Sequence, residues 1–282
     1  MTTVQVSPSR NAAGDALLTG AATFWFTVAL IGQWAFFYYI AAFYGASALS
    51  GNYQTWNRLV ALGARAPFVA GDTAGNLTFL AHALAAGYIA FGGALQLVPQ
   101  VRSRAPVFHR WNGRLFLLTV VGLSLSGFYL VWARDKSPDD FSALSTTLNG
   151  VLILTFAALA LRTALARDFV IHRRWALRLY LVSNAQWFLR IGVFAYFLIN
   201  HSLGRKVGFG DPVLLAWTPG CYLLPLAVLE LYLRARSGAG PGGRMAMAGG
   251  LVVLTLLMGV GIAGFTFFSQ MIISGAPLAF PK

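Results

Sequence analysis

Charge is scarce in this chain. Of 282 residues only 10% are Asp, Glu, Lys or Arg, and just 8 of those are acidic. Soluble domains carry about 25% charged residues, and a chain with so little polar surface cannot cover itself in water. That excludes a cytosolic enzyme, a disordered chain and a coiled coil. Cysteine is nearly absent too. Cys221 stands alone, which excludes an intrachain disulfide, a CxxCH haem attachment and a Cys-rich zinc site. Its apolar flanks read as those of a packed thiol. The chain has no Walker loop, no dinucleotide-type glycine motif and no acidic pair within a helix. ATP hydrolysis and nicotinamide binding therefore have no sequence support.

What is abundant is apolar. Hydrophobic residues make up 57% of the chain, and the mean hydropathy is +0.66. Seven apolar runs stand out, at 18–44, 76–98, 112–132, 143–165, 174–200, 212–233 and 247–273. Each exceeds the ~20 residues needed to cross a hydrocarbon core. No run alternates, and only helices or closed barrels satisfy their backbone in lipid. The expectation is an all-α polytopic transmembrane bundle of about seven helices. It forms a single integral membrane domain over 1–282, with helices 2–5 (76–200) as its core. Pro219 and Pro225 should kink the sixth helix. Gly259, Gly261 and Gly264 should let the seventh pack closely.

The formal net charge is +13, and the basic residues sit in short loops. One side gathers Arg10, Arg102, Arg104, Arg110, Arg114, Arg162, Arg167, Arg173, Arg174, Arg178, Arg234, Arg236 and Arg244. The other has Arg58, Arg65, Arg134, Lys136, Arg205, Lys206 and Lys282. By the positive-inside rule the N-terminus lies in the cytoplasm and the C-terminus outside, in an inner (plasma) membrane. The same rule explains the basic charge without nucleic acid as a partner. The cytoplasmic arginines, above all Arg110, Arg114, Arg173, Arg174 and Arg178, should meet anionic lipid head groups. Ala46-Ser47-Ala48 imitates a signal-peptidase site, but the first run is far longer than a signal h-region of ~7–15 residues, so an uncleaved helix is expected. The long loop 45–75 suits an external segment with a short interfacial helix at Trp56–Leu62.

Four histidines are present. His82 falls in the outer half of helix 2, His109 and His172 at the cytoplasmic starts of helices 3 and 5, and His201 at the outer end of helix 5. Each side thus has one pair, which is what two bis-histidine haems would require. Taken as one straight helix, helix 5 brings His172, Ser183, Gln186, Arg190 and His201 onto one face. Such a polar stripe should face the bundle interior or a wet cavity. Arg190 has few acidic partners in reach. It either snorkels to the outer end of its helix, ~15 Å away, or contacts an anionic group such as a haem propionate, a lipid phosphate or a quinone-like carbonyl. His82, at similar depth, is its natural neighbour in a site or else makes an interhelical hydrogen bond. His109, His172 and Asp168 have the composition of a facial metal triad or of an interfacial ion cluster. No metal site is expected from them.

Two blocks echo each other: Phe108-His-Arg-Trp-Asn-Gly-Arg114 opening helix 3, and Ile171-His-Arg-Arg-Trp-Ala-Leu-Arg178 opening helix 5. With Ala81-His82, Gly92-Gly93-Ala94-Leu95-Gln96 and Leu189-Arg190, these blocks resemble a bacterial membrane-protein family known as domain of unknown function 2306. The resemblance runs from Leu80 to Arg190 and implies a multi-helix membrane fold without specifying an activity. A more distant likeness is to transmembrane b-type cytochromes, which also hold histidines near both faces of a four-helix core. Here helix 4 has no histidine. His172 and His201 are 29 residues apart, roughly 43 Å along a straight helix, which exceeds the ~30 Å core. One of them therefore lies among head groups, or the helix bends. Three functions stay open: a b-type haem or quinone-linked electron-transfer protein using His82, His109, His172 and Arg190; a transporter or binder of a small lipophilic or anionic molecule; and a structural membrane protein without catalysis.

Overall fold

A computed structural model describes residues 9–62, 65–135 and 140–277, and no strand occurs among them. The helices are α1 (Ser9–Ile40), α2 (Ala46–Leu49), α3 (Thr73–Leu97), α4 (Pro99–Arg104), α5 (Pro106–Phe128), α6 (Asp140–Leu165), α7 (Phe169–Ser183), α8 (Ala185–Ser202), α9 (Pro212–Gly238) and α10 (Pro241–Ser274). A π-helical turn, Ala41–Gly45, joins α1 to α2, and another, Tyr129–Arg134, extends α5. Lys136 and Lys282, counted above in the charge asymmetry, lie outside the described residues.

Helix starts follow from local chemistry. Asp72, Asp168 and Asp211 cap α3, α7 and α9 by accepting from the backbone N–H of Gly75, Ile171 and Val213. Their carboxylates satisfy N–H groups that a helix start leaves open. Prolines occupy the first turns of α4, α5, α9 and α10, where a missing N–H costs nothing. Asp15 pairs with Arg244, Asp135 with Arg65 and Glu230 with Arg178, while Asp72 also meets Arg134.

Six single helices are long and apolar enough to cross a membrane, and α7 with α8 makes a seventh span bent by 53°. Contacts between the terminal helices show that this bent pair crosses rather than turns back. At one end Arg244 of α10 meets Asp15 of α1 at 2.8 Å. At the other, Arg58, just past α1 and α2, donates to the carbonyls of Ile272 and Ile273 at 3.1 and 3.2 Å. So α1 and α10 are parallel neighbours. Parallel terminal helices require an odd number of crossings between them, which only a traversing α7–α8 supplies.

The helices close a ring. α1 packs on α10 and α3, α3 on α5, α5 on α6, α6 on α7, and α8 on α10, with α9 against α6, α7, α8 and α10. Since lipid tails are as apolar as leucine, close packing must hold such a ring together. A methyl at Gly261 would strike the backbone of Ile191, and one at Gly264 would strike Leu198 and Phe194. These two glycines therefore set the α8–α10 approach, as expected. Gly259 does not share that role, since nothing lies within 4 Å of where its Cβ would stand. An aromatic band of Phe36, Tyr39, Phe43 and Tyr44 fills the ring beside Phe265 and Phe268. Trp56 is buried rather than interfacial. Its indole donates to Ser47 Oγ at 2.7 Å, and the 3-10 segment Tyr53–Leu62 folds in with it.

Candidate functional site

The fifth span breaks at its centre. Asn184 leaves the helical path between α7 and α8, and residues 179–185 are all buried there. A break in the hydrocarbon exposes carbonyls that must find donors, and side chains supply them. Asn184 Nδ2 and Ser183 Oγ donate to Tyr180 O at 2.8 and 3.1 Å, and Asn149 Nδ2 reaches from α6 to Val182 O at 3.0 Å. Tyr180 Oη donates to Gln33 of α1 at 2.7 Å. The single polar stripe expected from a straight helix therefore does not exist. His172 belongs to α7 while Gln186, Arg190 and His201 belong to α8, and Ser183 serves the break.

His82 and Arg190 are each held by separate contacts. His82 of α3 reaches α5, where its Nδ1 lies 2.9 Å from Ser126 Oγ. That hydroxyl has one proton, which it directs to Gly122 O and Leu123 O at 2.7 and 3.1 Å. Ser126 therefore accepts from His82, which assigns the proton to Nδ1 and leaves the Nε2 lone pair free. Arg190 of α8 lies over the Phe36 ring of α1 at 5.2 Å. Its Nη1 donates to Gln186 O at 2.8 Å and to Gln186 Oε1 at 3.3 Å. It has no ion-pair partner among the described residues. Its charge acts on His82, Tyr39 and Tyr44. His82 and His201 stand at different depths. His201 stands in the last turn of α8, whereas His82 lies nine residues, about 14 Å, inside α3.

At the opposite end His109 stands in the first turn of α5 and His172 in the first turn of α7. Their imidazoles are near enough to interact electrostatically, with Arg102 beside His109. His172 Nδ1 donates to Ala160 O at 2.9 Å, leaving Nε2 free. His109 Nδ1 is buried without a partner. Their helices, α5 and α7, each pack on α6 and only weakly, if at all, on one another. Asp168 is committed to its cap, and no cluster of three metal-binding side chains occurs among the described residues. A facial triad is thus not formed.

The echoed blocks split into packing and unpaired parts. Trp111 and Arg114, like Trp175 and Arg178, are one turn apart, and each guanidinium covers its indole, at 4.8 and 4.6 Å. Asn112 is buried. Its Nδ2 donates to Gly92 O at 2.9 Å, and Tyr88 Oη donates to its Oδ1 at 2.7 Å. A methyl at Gly93 would strike Phe116. The Gly-Gly and Asn-Gly pairs therefore lock α3 to α5. Arg178, expected to face lipid, instead grips Glu230 of α9 with two bonds of 2.7 and 2.9 Å. Arg110, Arg114, Arg173 and Arg174 are exposed and outside any described ion pair. Sequence reasoning missed Asn149, Tyr180 and Gln33 at the break. A Ser-Asn pair without Gly or Pro was the only local signal for it.

Neither a curated protein nor a solved structure matches the chain. A family model described as a predicted membrane protein, domain of unknown function 2306, matches residues 79–228. That match takes in α5 to α8 with most of α3 and α9, and so the elements that carry both histidine sites and the broken span. The chain belongs to this family of multi-pass membrane proteins.

Proposed function

We propose that this integral membrane protein is an electron-transfer protein that holds one b-type haem between His109 and His172. The observation that carries the reading is the orphaned, buried Nδ1 of His109 beside a second imidazole whose tautomer is already set. A buried polar atom without a partner calls for an explanation. Ligation through that nitrogen would satisfy it, while His172 would ligate through Nε2, since its Nδ1 already donates to Ala160 O in the manner usual for a ligating histidine. The residues fit the group. Two imidazoles come from α5 and α7, which both pack on α6, and Arg110, Arg173 and Arg174, outside any described ion pair, would take the propionates. When bound, the haem supplies one-electron chemistry. The chain's contribution is to orient His172 through α6, to hold His109 at the membrane boundary and to balance the propionate charge. One haem is proposed rather than two, because His82 stands nine residues inside α3 while His201 stands in the last turn of α8. The free arginines at this end would also contact anionic lipid head groups, and the inner membrane is the proposed location.

The test is an absorption spectrum of protein expressed with ample haem, oxidised and then reduced with dithionite. A Soret band with a sharpened α band is expected, lost in His109→Ala and in His172→Ala and kept in His82→Ala. A featureless wild-type spectrum, or colour that survives both His109→Ala and His172→Ala, overturns the proposal.

A further inference from the structure

The hairpin of α9 and α10 carries a groove that the proposed haem does not use. Its volume is about 640 Å³, and its walls run from Val228 to the end of α9 and from Gly243 to Leu254 on α10. Apart from Arg234 every lining residue is apolar. The floor is closed, because Ala235 is buried with Ala248 and Leu251 of α10 against Leu18 and Ala21 of α1. Gly250 in the wall is bare for no internal reason. Gly261 and Gly264 of the same helix give up their side chains to the α8 contact, but nothing among the described residues lies within 4 Å of where a Cβ at Gly250 would stand. Its missing side chain leaves the groove open.

Place and shape define the occupant. Arg234, Arg236 and Arg244 gather around the short connection between the two helices, which marks this end as a head-group boundary. From Gly243 to Leu254 the groove follows α10 for about 16 Å of helix rise. That is close to half of a ~30 Å hydrocarbon core, and so to the depth of one leaflet and the reach of an acyl chain anchored at the boundary. Arg234 lies outside every described ion pair, while Glu230, one turn earlier on α9, is held by Arg178 and Asp15 by Arg244. A guanidinium without a carboxylate suits a phosphate. The start of α10, where Gly240 offers no side-chain cap, adds the positive end of a helix at the same rim. A zwitterionic head group brings its own cation to these arginines, and a second copy of the chain in the same orientation brings its own basic end. An anionic phospholipid brings neither.

We propose that the α9–α10 groove binds one anionic phospholipid of the leaflet at that end, with its phosphate on Arg234 and one acyl chain laid past Gly250 toward Leu254. The site shares no residue with the arginines beside His109 and His172, and it stands whether or not haem is bound.

The probe is a phosphatidylglycerol with a diazirine in its acyl chain, photolysed with the detergent-purified full chain and mapped by peptide mass spectrometry. Labels are expected within 228–254. Unlabelled dioleoyl-phosphatidylglycerol should suppress them at about one tenth of the concentration needed with dioleoyl-phosphatidylcholine, the worth of about one bond to a charged group. That advantage should vanish in Arg234→Gln. Gly250→Leu places a side chain in the groove without striking the protein, so it should keep the wild-type melting temperature and lose most labelling of 246–254. Equal competition by the two lipids in the wild type overturns the proposal. So does an advantage that survives Arg234→Gln, or groove labelling untouched by Gly250→Leu. Labels confined outside 228–254, as when a second copy covers the groove, also overturn it. If a variant fails to fold, the map and the two-lipid competition on the wild type decide alone.

Discussion

Replacing Asn112 with alanine tests whether the family's most recognisable block is an architectural lock. Asn112 holds α5 to α3 by two side-chain bonds, from its Nδ2 to Gly92 O at 2.9 Å and from Tyr88 Oη to its Oδ1 at 2.7 Å. The alanine variant loses both, and Tyr88 Oη keeps only its longer bond to the backbone O of residue 112 at 3.2 Å. At about 0.5–1.5 kcal/mol per bond the expected loss is about 1–3 kcal/mol. Interhelical bonds in membrane proteins average about 0.6 kcal/mol, which favours the lower half. Equilibrium unfolding in mixed detergent and SDS micelles reads this number. A double-mutant cycle with Tyr88→Phe isolates the Tyr88–Asn112 bond and should give a coupling of about 0.6 kcal/mol, at most about 1.7. Because the block's packing role is separate from its histidine, folded Asn112→Ala should keep its haem spectrum. A loss below about 0.5 kcal/mol together with zero coupling refutes the lock. So does a folded variant that is colourless while wild type is coloured.

Three more outcomes follow from the structure. Arg178→Ala should destabilise by about 1–3 kcal/mol, the range for bonds to charged groups, toward the low end because Glu230 is 40% exposed; an unchanged unfolding midpoint contradicts the α7–α9 clasp. Asp72 is held below the usual carboxylate range by its bond to Arg134 Nε at 2.8 Å and by the Gly75 N–H. A depressed folded pKa gives stability that is present above the unfolded value of about 3.9 and lost as pH falls through the lower folded value. Asp72→Asn keeps a capping side chain, so it should melt below wild type at pH 7, with the gap closing as pH drops under about 4; a gap that stays constant to pH 3 contradicts this. Gly261→Ala should destabilise by about 1–3 kcal/mol through overpacking against Ile191, while Gly259→Ala should be neutral or better, and equal effects at the two sites contradict the assigned α8–α10 contact.

Much of the architecture was legible because lipid imposes one rule on the whole chain. Runs of ~20 apolar residues have no other fold open to them, so 76–98 became Thr73–Leu97 and 143–165 became Asp140–Leu165. The ends were displaced where caps and prolines decide them, as at Asp72 and Pro106. The break at Asn184 was not legible, since hydropathy runs unbroken through 174–200 and its support comes from Asn149 on another helix. The excess length between His172 and His201 did signal a bend without giving its place. Among site residues, depth alone suggests the pairings His109–His172 and His82–Arg190. Which nitrogen of each histidine is spent depends on Ala160 and Ser126, contacts between helices that no local pattern encodes. Arg178 looked like its neighbours Arg173 and Arg174 until α9 placed Glu230 against it.

The proposed haem between His109 and His172 rests most directly on one spectrum. Purified wild type, reduced with dithionite and compared with its oxidised form, is expected to show the sharpened α band of a six-coordinate b-type haem, abolished by His172→Ala. A flat difference spectrum from folded protein made with ample haem would contradict the account at its centre.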